Sequence, residues 1–139
     1  MIILDTNVLS ELMRPKPDPA VVAWIGRQPA ASLYTTSITQ AEILYGLMLL
    51  PRSRRRSALE DAATSMFAED FDERILGFDR DAAQAYAQIA SDRRRTGRPI
   101  SHFDAQIAAI ARFMGAVIAT RNTADLDGCG VTVVNPWKP

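Results

Sequence analysis

A chain of 139 residues, 47% of them apolar, is long enough to bury one substantial core and too short for two comfortable ones, so a single domain over residues 1–139 is expected. One cysteine, Cys129, excludes an internal disulfide and a thiolate zinc site. Sixteen basic and sixteen acidic side chains cancel, so any binding to phosphates has to come from local patches rather than from a global field.

Met1-Ile2-Ile3-Leu4 is a short apolar run that meets a carboxylate at Asp5, with no basic leader before it. It reads as a buried strand; no signal peptide or membrane span is expected, and the cytoplasm is the default compartment. Asp5-Thr6-Asn7 are residues that favour caps and turns, and Val8, Leu9 and Leu12 follow at helical spacing. Pro15, Pro17 and Pro19 break that helix, and Pro19 opens the next, running to Gly26. Leu33 to Thr36 is the second strand. Ser37 with Gln40 has capping-box spacing, which predicts a helix from Ser37 to Pro51 with Ile38, Ala41, Tyr45 and Leu49 on its inner face.

A more polar helix is expected from Arg52 to about Asp70, then a third strand from Ile75 to Phe78. Asp79 caps a helix predicted over Ala82 to Arg95, stopped by Gly97 and Pro99. Ser101 caps another through Met114, with Gly115 in the left-handed closing position. Ala116 to Thr120 and Val131 to Val134 complete the strands. Strands alternating with helices imply a three-layer α/β/α unit with a mainly parallel five-stranded sheet.

In such sheets ligands bind beyond the carboxyl ends of the strands. Asp5 ends the first strand, Glu42 lies in the second turn of the helix after the second, Asp104 opens a helix, and Asn122 and Asp125 follow the fourth strand. All can reach one edge. Several carboxylates in one cleft raise each other's pKa values unless cations lie between them. Oxygen ligands, one cysteine and one histidine favour Mg²⁺ or Mn²⁺ over zinc. Such ions activate water and hold a phosphodiester for in-line attack.

Each residue also has a plain structural reading. Asp5 can be only a helix cap, and Asp104 only a dipole-compensating residue in a first turn. Glu42, beside the inner face of its helix, needs a partner or a metal, because an unpaired carboxylate there is expensive. His102 can act as base or outer ligand, or merely face water. The clusters Arg52, Arg54, Arg55, Arg56 and Arg93, Arg94, Arg95, Arg98 can contact RNA phosphates or form solvated faces.

Four segments in order carry a resemblance: Leu4-Asp5-Thr6-Asn7, Thr39-Gln40-Ala41-Glu42, His102-Phe103-Asp104-Ala105-Gln106-Ile107-Ala108-Ala109 and Ala119-Thr120-Arg121-Asn122. Together they resemble the PIN-domain signature, as found in VapC-type toxins of toxin–antitoxin pairs. The Asn135-Pro136-Trp137 ending and the proline-rich first loop are similar to the FitB branch.

The resemblance implies a Mg²⁺- or Mn²⁺-dependent endoribonuclease in which Asp5, Glu42 and Asp104 hold the metal. It implies Asp125 as the fourth acid, with Asn122 standing where some relatives carry an aspartate. It further implies substrate contacts from Thr6, Arg121 and Asn122, with Thr6 holding either the scissile phosphate or Asp5. A homodimer, a cognate VapB/FitA-like antitoxin and contact with DNA only through that antitoxin are expected by similarity; Trp24, Leu47, Met48 and Leu50 are candidates for the antitoxin groove, with packing into the core the other fate open to most of them. The alternative is a non-catalytic PIN-like subunit that binds RNA or an antitoxin–DNA complex without cleavage. A receiver domain would need a lysine at the sheet edge, and a dehalogenase-type phosphatase an aspartate where Asn7 stands; neither reading survives.

Overall fold

The computed structural model describes residues 1–139. Five parallel strands, β1 (Ile2–Leu4), β2 (Leu33–Thr36), β3 (Ile75–Leu76), β4 (Val117–Ala119) and β5 (Val133–Val134), form one sheet in the order β3-β2-β1-β4-β5. Six helices flank it: α1 (Thr6–Leu12), α2 (Pro19–Gly26), α3 (Ser37–Met48), α4 (Arg54–Ser65), α5 (Arg80–Arg95) and α6 (His102–Met114). This is the expected three-layer α/β/α arrangement.

Strand alternation makes the layers. Ile3 and Ile118 point to a core shared with Ile89 of α5 and Ile107 and Ile110 of α6, while their neighbours Leu4 and Ala119 face the opposite core of α1 to α4. Both faces of the central strands are therefore dry, as all-parallel sheets require. No helix is long and apolar enough to cross a membrane.

Local chemistry fixes the helix ends. Pro19 sits at the start of α2 behind the Asp18 cap, and Asp79 accepts from the amides of Asp81 and Ala82 at α5. Gly115 closes α6 with φ +65°, a left-handed conformation that glycine adopts without steric cost.

Several elements depart from expectation. The cap of α3 is Thr36, whose hydroxyl accepts from the Thr39 amide at 3.1 Å, and the helix ends at Met48 rather than Pro51. Its inner face is Thr39, Ile43 and Leu47, whereas Tyr45 and Leu49 are 60% and 68% exposed. Both faces of this helix are rich in apolar residues, so periodicity could not decide which one docks. Ser53 caps α4, and its last turn widens into a π-helical turn over Met66–Asp70. The last strand is two residues long, shorter than the run from Val131.

Candidate functional site

Strand order reverses at β1, since the chain first builds outward through β2 and β3 and then crosses to β4 on the other side. The crevice at the carboxyl ends of β1 and β4 is the place where an open sheet leaves room for a ligand. A polar cleft of about 550 Å³ opens there, walled by Asp5, Thr6, Glu42, Asp104, Arg121 and Asn122 together with Asn7, Ser10, Glu11, Arg14 and Trp137. Three carboxylates distant in sequence thus share one wall, each carried by a different element.

Asp5 follows β1 directly. One oxygen, Oδ1, accepts from the Thr6 amide at 2.8 Å and so caps α1; the other, Oδ2, accepts the Thr120 hydroxyl at 2.8 Å. It therefore caps and serves the cleft at once. Thr120 is fully buried just past β4, and its oxygen also accepts from Asn7 Nδ2 at 3.0 Å and the Asn122 amide at 3.2 Å. With its single proton spent on Asp5, the Thr120 hydroxyl has its polarity fixed by these donors.

Thr6 holds Glu42, not Asp5, by its side chain: its hydroxyl donates to Glu42 Oε1 at 2.9 Å. The spatial reason is that α1 and α3 leave the sheet side by side, which puts the first residue of α1 beside the second turn of α3. Asp104 stands in the first turn of α6, where its amide is bound by the Ser101 hydroxyl at 3.1 Å. His102 is exposed and engaged with Tyr86 of α5, its Nδ1 lying 2.7 Å from the phenol oxygen.

Burial raises all three carboxyl pKa values from their ordinary values. For Asp5 the hydrogen bonds from Thr120 and Thr6 offset part of the rise, and the charges of Asp104 and Asp125 add to it. Burial of Glu42 is partly offset by the Thr6 hydroxyl and reinforced by Asp5 and Asp104. Burial again leads for Asp104, opposed by Ser101 and Arg93 and reinforced by Asp125. A cleft that disfavours its own anions is suited to receive a cation.

The donor set is all oxygen, which fits a hard divalent cation and gives no purchase for a thiophilic one. No three of the Asp, Glu, His and Cys side chains are already gathered at coordinating distance. An ion such as Mg²⁺, which keeps several of its waters, fits such a spread arrangement better than one that demands a protein cage.

Asp125 is exposed on a 3-10 turn, Thr123–Leu126, and does not line the cleft, although its charge is felt by Asp5 and Asp104. Asn122 lines the cleft in its place. Arg93 departs from both expected readings of its cluster, phosphate contact and solvated face: it is buried, with its guanidinium donating to the carbonyls of Arg98 at 2.7 Å, Asp125 at 2.8 Å and Asp127 at 3.0 Å. It clamps the loop that carries Asn122 and Asp125 to the end of α5. Ala82, Ile89 and Arg93 share the buried face of that helix, and this spacing is the sequence signal that would have found it. Arg98 is paired with Asp127 at 3.0 Å. Burial pushes the thiol of Cys129, next to Arg93, up as well, so it remains a protonated core residue.

Sequence reasoning missed Thr120, Asn7, Glu11 and Trp137. Thr120 and Asn7 lay within recognised segments, but their bonding depends on β1 and β4 lying side by side. A separate, mostly apolar groove of about 480 Å³ runs from the cleft between α1, α3 and α4, past Met13, Ile43, Leu47, Arg55 and Leu59, and shares Thr6 and Glu42 with it. Of the residues expected to meet a partner, Trp24 and Leu47 are buried in the core and Met48 is 67% exposed.

The PIN domain family profile matches residues 2–127. VapC ribonuclease Y4jK of Sinorhizobium fredii is 39% identical over 139 residues, covering 100% of this chain and 99% of the relative. Toxin FitB of Neisseria gonorrhoeae is 39% identical over 137 residues, covering 99% of each. A solved structure of FitAB bound to a DNA fragment superposes with a TM-score of 0.94 at 38% identity, covering 100% of this chain and 97% of that one. With its five-stranded parallel sheet and its acidic cleft at the switch point, the chain belongs to the PIN-domain family, among relatives named VapC ribonuclease and Toxin FitB.

Proposed function

We propose that the protein is a Mg²⁺- or Mn²⁺-dependent endoribonuclease and the toxin of a toxin–antitoxin pair. The observation that carries this reading is the convergence of Asp5, Glu42 and Asp104, each with its pKa raised by burial, on one polar cleft at the switch point of the sheet. These three would hold the ion. When bound, a divalent cation lowers the pKa of water and neutralises charge growing on a phosphodiester.

The chain's own residues do the rest. The Thr120 hydroxyl and the Thr6 amide fix both oxygens of Asp5, so the carboxylate is oriented before any ligand arrives. Thr6 does the same for one oxygen of Glu42. Asn122 presents an amide to the cleft where an acid would add repulsion against a phosphate. Hydrolysis breaks one P–O bond of the strand, with water supplying the new hydroxyl.

The relatives named as a VapC ribonuclease and a FitB toxin, and the FitAB complex on DNA, support both halves of the proposal. A cytosolic homodimer is the assembly we assign, with an antitoxin tail lying in the groove between α1, α3 and α4. An arginine of that tail would meet the carboxylates where the groove opens at Thr6 and Glu42, in charge-assisted hydrogen bonds. DNA would be reached through the antitoxin.

The test is cleavage of a single-stranded RNA panel by partner-free protein in Mg²⁺, Mn²⁺ and EDTA, beside Asp104→Asn. Cleavage that needs the metal and is lost in the variant is expected. Wild-type protein that binds metal and antitoxin but cuts no RNA would replace this reading with that of a non-catalytic PIN subunit.

A further inference from the structure

The wall of the cleft is mainly acidic, yet an RNA strand brings more negative charge into it. Two arginines line the cleft, Arg14 and Arg121. Arg14 is engaged with Glu11 of its own helix end at 3.3 Å. Arg121 has no carboxylate partner; its guanidinium carbon lies 5.1 Å from the centroid of the Trp137 ring.

Both residues are held by their backbones. The Arg121 amide donates to Asn7 Oδ1 at 3.0 Å, and the Trp137 amide donates to Asn135 Oδ1 at 2.9 Å. Ala119 pairs with Val134 in adjacent parallel strands, so the residues that follow leave the same edge of the sheet together. Pro136, buried, fixes the turn that returns Trp137 to the cleft. Trp137 lies beyond residues 2–127, the extent of the family profile.

A guanidinium resting on an indole face is attracted by the ring quadrupole and keeps its five donors in its own plane, free to meet a planar or tetrahedral oxyanion. We infer that Arg121 and Trp137 together form a phosphate-binding subsite for the RNA strand, Arg121 donating to non-bridging oxygens and Trp137 acting as the positioning residue that holds it at the cleft. The subsite rests on the ribonuclease reading and supplies it with a cation that, unlike Arg14, is not already paired to a carboxylate of the cleft.

The experiment measures binding of a labelled single-stranded RNA by fluorescence anisotropy in EDTA, over a range of salt, for the full chain and for Arg121→Gln, Trp137→Leu, Trp137→Phe and the double variant of Arg121→Gln with Trp137→Leu. Arg121→Gln is expected to weaken binding about tenfold at low salt and to lower the slope of log affinity against log salt by about 0.7, the signature of one lost phosphate contact on a single strand. Trp137→Leu is expected to weaken binding about threefold, and Trp137→Phe, which keeps an aromatic face, to restore most of it.

Since the indole acts through the guanidinium, the double variant should bind like Arg121→Gln alone. In cleavage, the losses should fall on KM more than on kcat. Unchanged affinity and salt slope in Arg121→Gln, or a further loss on adding Trp137→Leu to it, would overturn the subsite. Wild type that cleaves in Mg²⁺ while Arg121→Gln binds normally removes the subsite and keeps the ribonuclease. Wild type that binds through Arg121 without cleaving keeps the subsite and removes the ribonuclease.

Discussion

Replacing Arg93 by methionine removes the clamp on the loop between β4 and β5 while keeping a side chain of similar length. Three hydrogen bonds from a cationic donor are lost, each of a kind worth about 1.5–3 kcal/mol. Two considerations reduce that sum. Arg98, Asp125 and Asp127 are exposed residues, so water can reach part of what the guanidinium satisfied. Arg93 has no ion-pair partner, so its burial carries a desolvation cost of several kcal/mol that methionine does not pay.

The net expectation is a loss of about 3 kcal/mol, which for a chain of this size is roughly a 10 °C fall in midpoint. Thermal unfolding followed by circular dichroism reads the first effect. Hydrogen exchange reads the second: amides from Asn122 to Cys129 should lose protection while those of β1 and β2 keep it. Arg93→Lys, a single compact donor in place of a fork, should fall between the two. A midpoint within about 2 °C of wild type in Arg93→Met, or unchanged exchange in the loop, would refute the clamp.

Thr120→Val, nearly isosteric, strips Asp5 of its hydroxyl donor, leaves the Asn122 amide without its side-chain acceptor and leaves Asn7 Nδ2 with only its long 3.5 Å bond to Asp5 Oδ2. Stability should fall by about 2 kcal/mol in urea titration, and Mn²⁺ affinity measured by calorimetry should drop by about tenfold or more. Because Asp5, Glu42 and Asp104 have folded-state pKa values raised above their unfolded ones, their contribution to stability is fully present below the ordinary carboxylate range, about pH 4. It is lost as pH rises through the folded values. In metal-free protein Asp5→Asn should therefore raise the midpoint at neutral pH and change it little near pH 4; an equal effect at both would contradict the burial argument. Gly115→Ala, forced to hold φ +65° with open space around its new methyl, should cost about 1 kcal/mol from backbone strain alone.

Features that depend on neighbours in the chain were legible in the amino-acid order. Leu33–Thr36, the Pro19 start of α2, the Asp79 and Ser101 caps and the Gly115 close all follow from local chemistry. The convergence of Asp5, Glu42 and Asp104 on one edge followed from their positions after strands and early in helices. What escaped were choices made by distant parts of the molecule. Thr36 and Ser37 are both good caps, and only the strand's end decides between them. Which side of α3 is inward depends on where α1 and α4 lie. Thr6 has Asp5 beside it in sequence, yet its hydroxyl turns to a residue thirty-six positions away. Arg93 sits in a run of three arginines whose charges look alike, and only its helical spacing from Ala82 and Ile89, on the face that is buried, separates it from Arg94 and Arg95.

The bond between Asp5 and Thr120 spans 115 positions of the chain. A ribosome making this protein releases Asp5 and Glu42 first, and must finish α6 and β4 before Asp104 and Thr120 can join them. Every shorter nascent chain has only part of the acidic wall and no hydroxyl to orient Asp5. The cleft therefore does not exist until residues 104–120 have followed Asp5 and Glu42 out of the ribosome, and no partner can recognise its acidic wall before then.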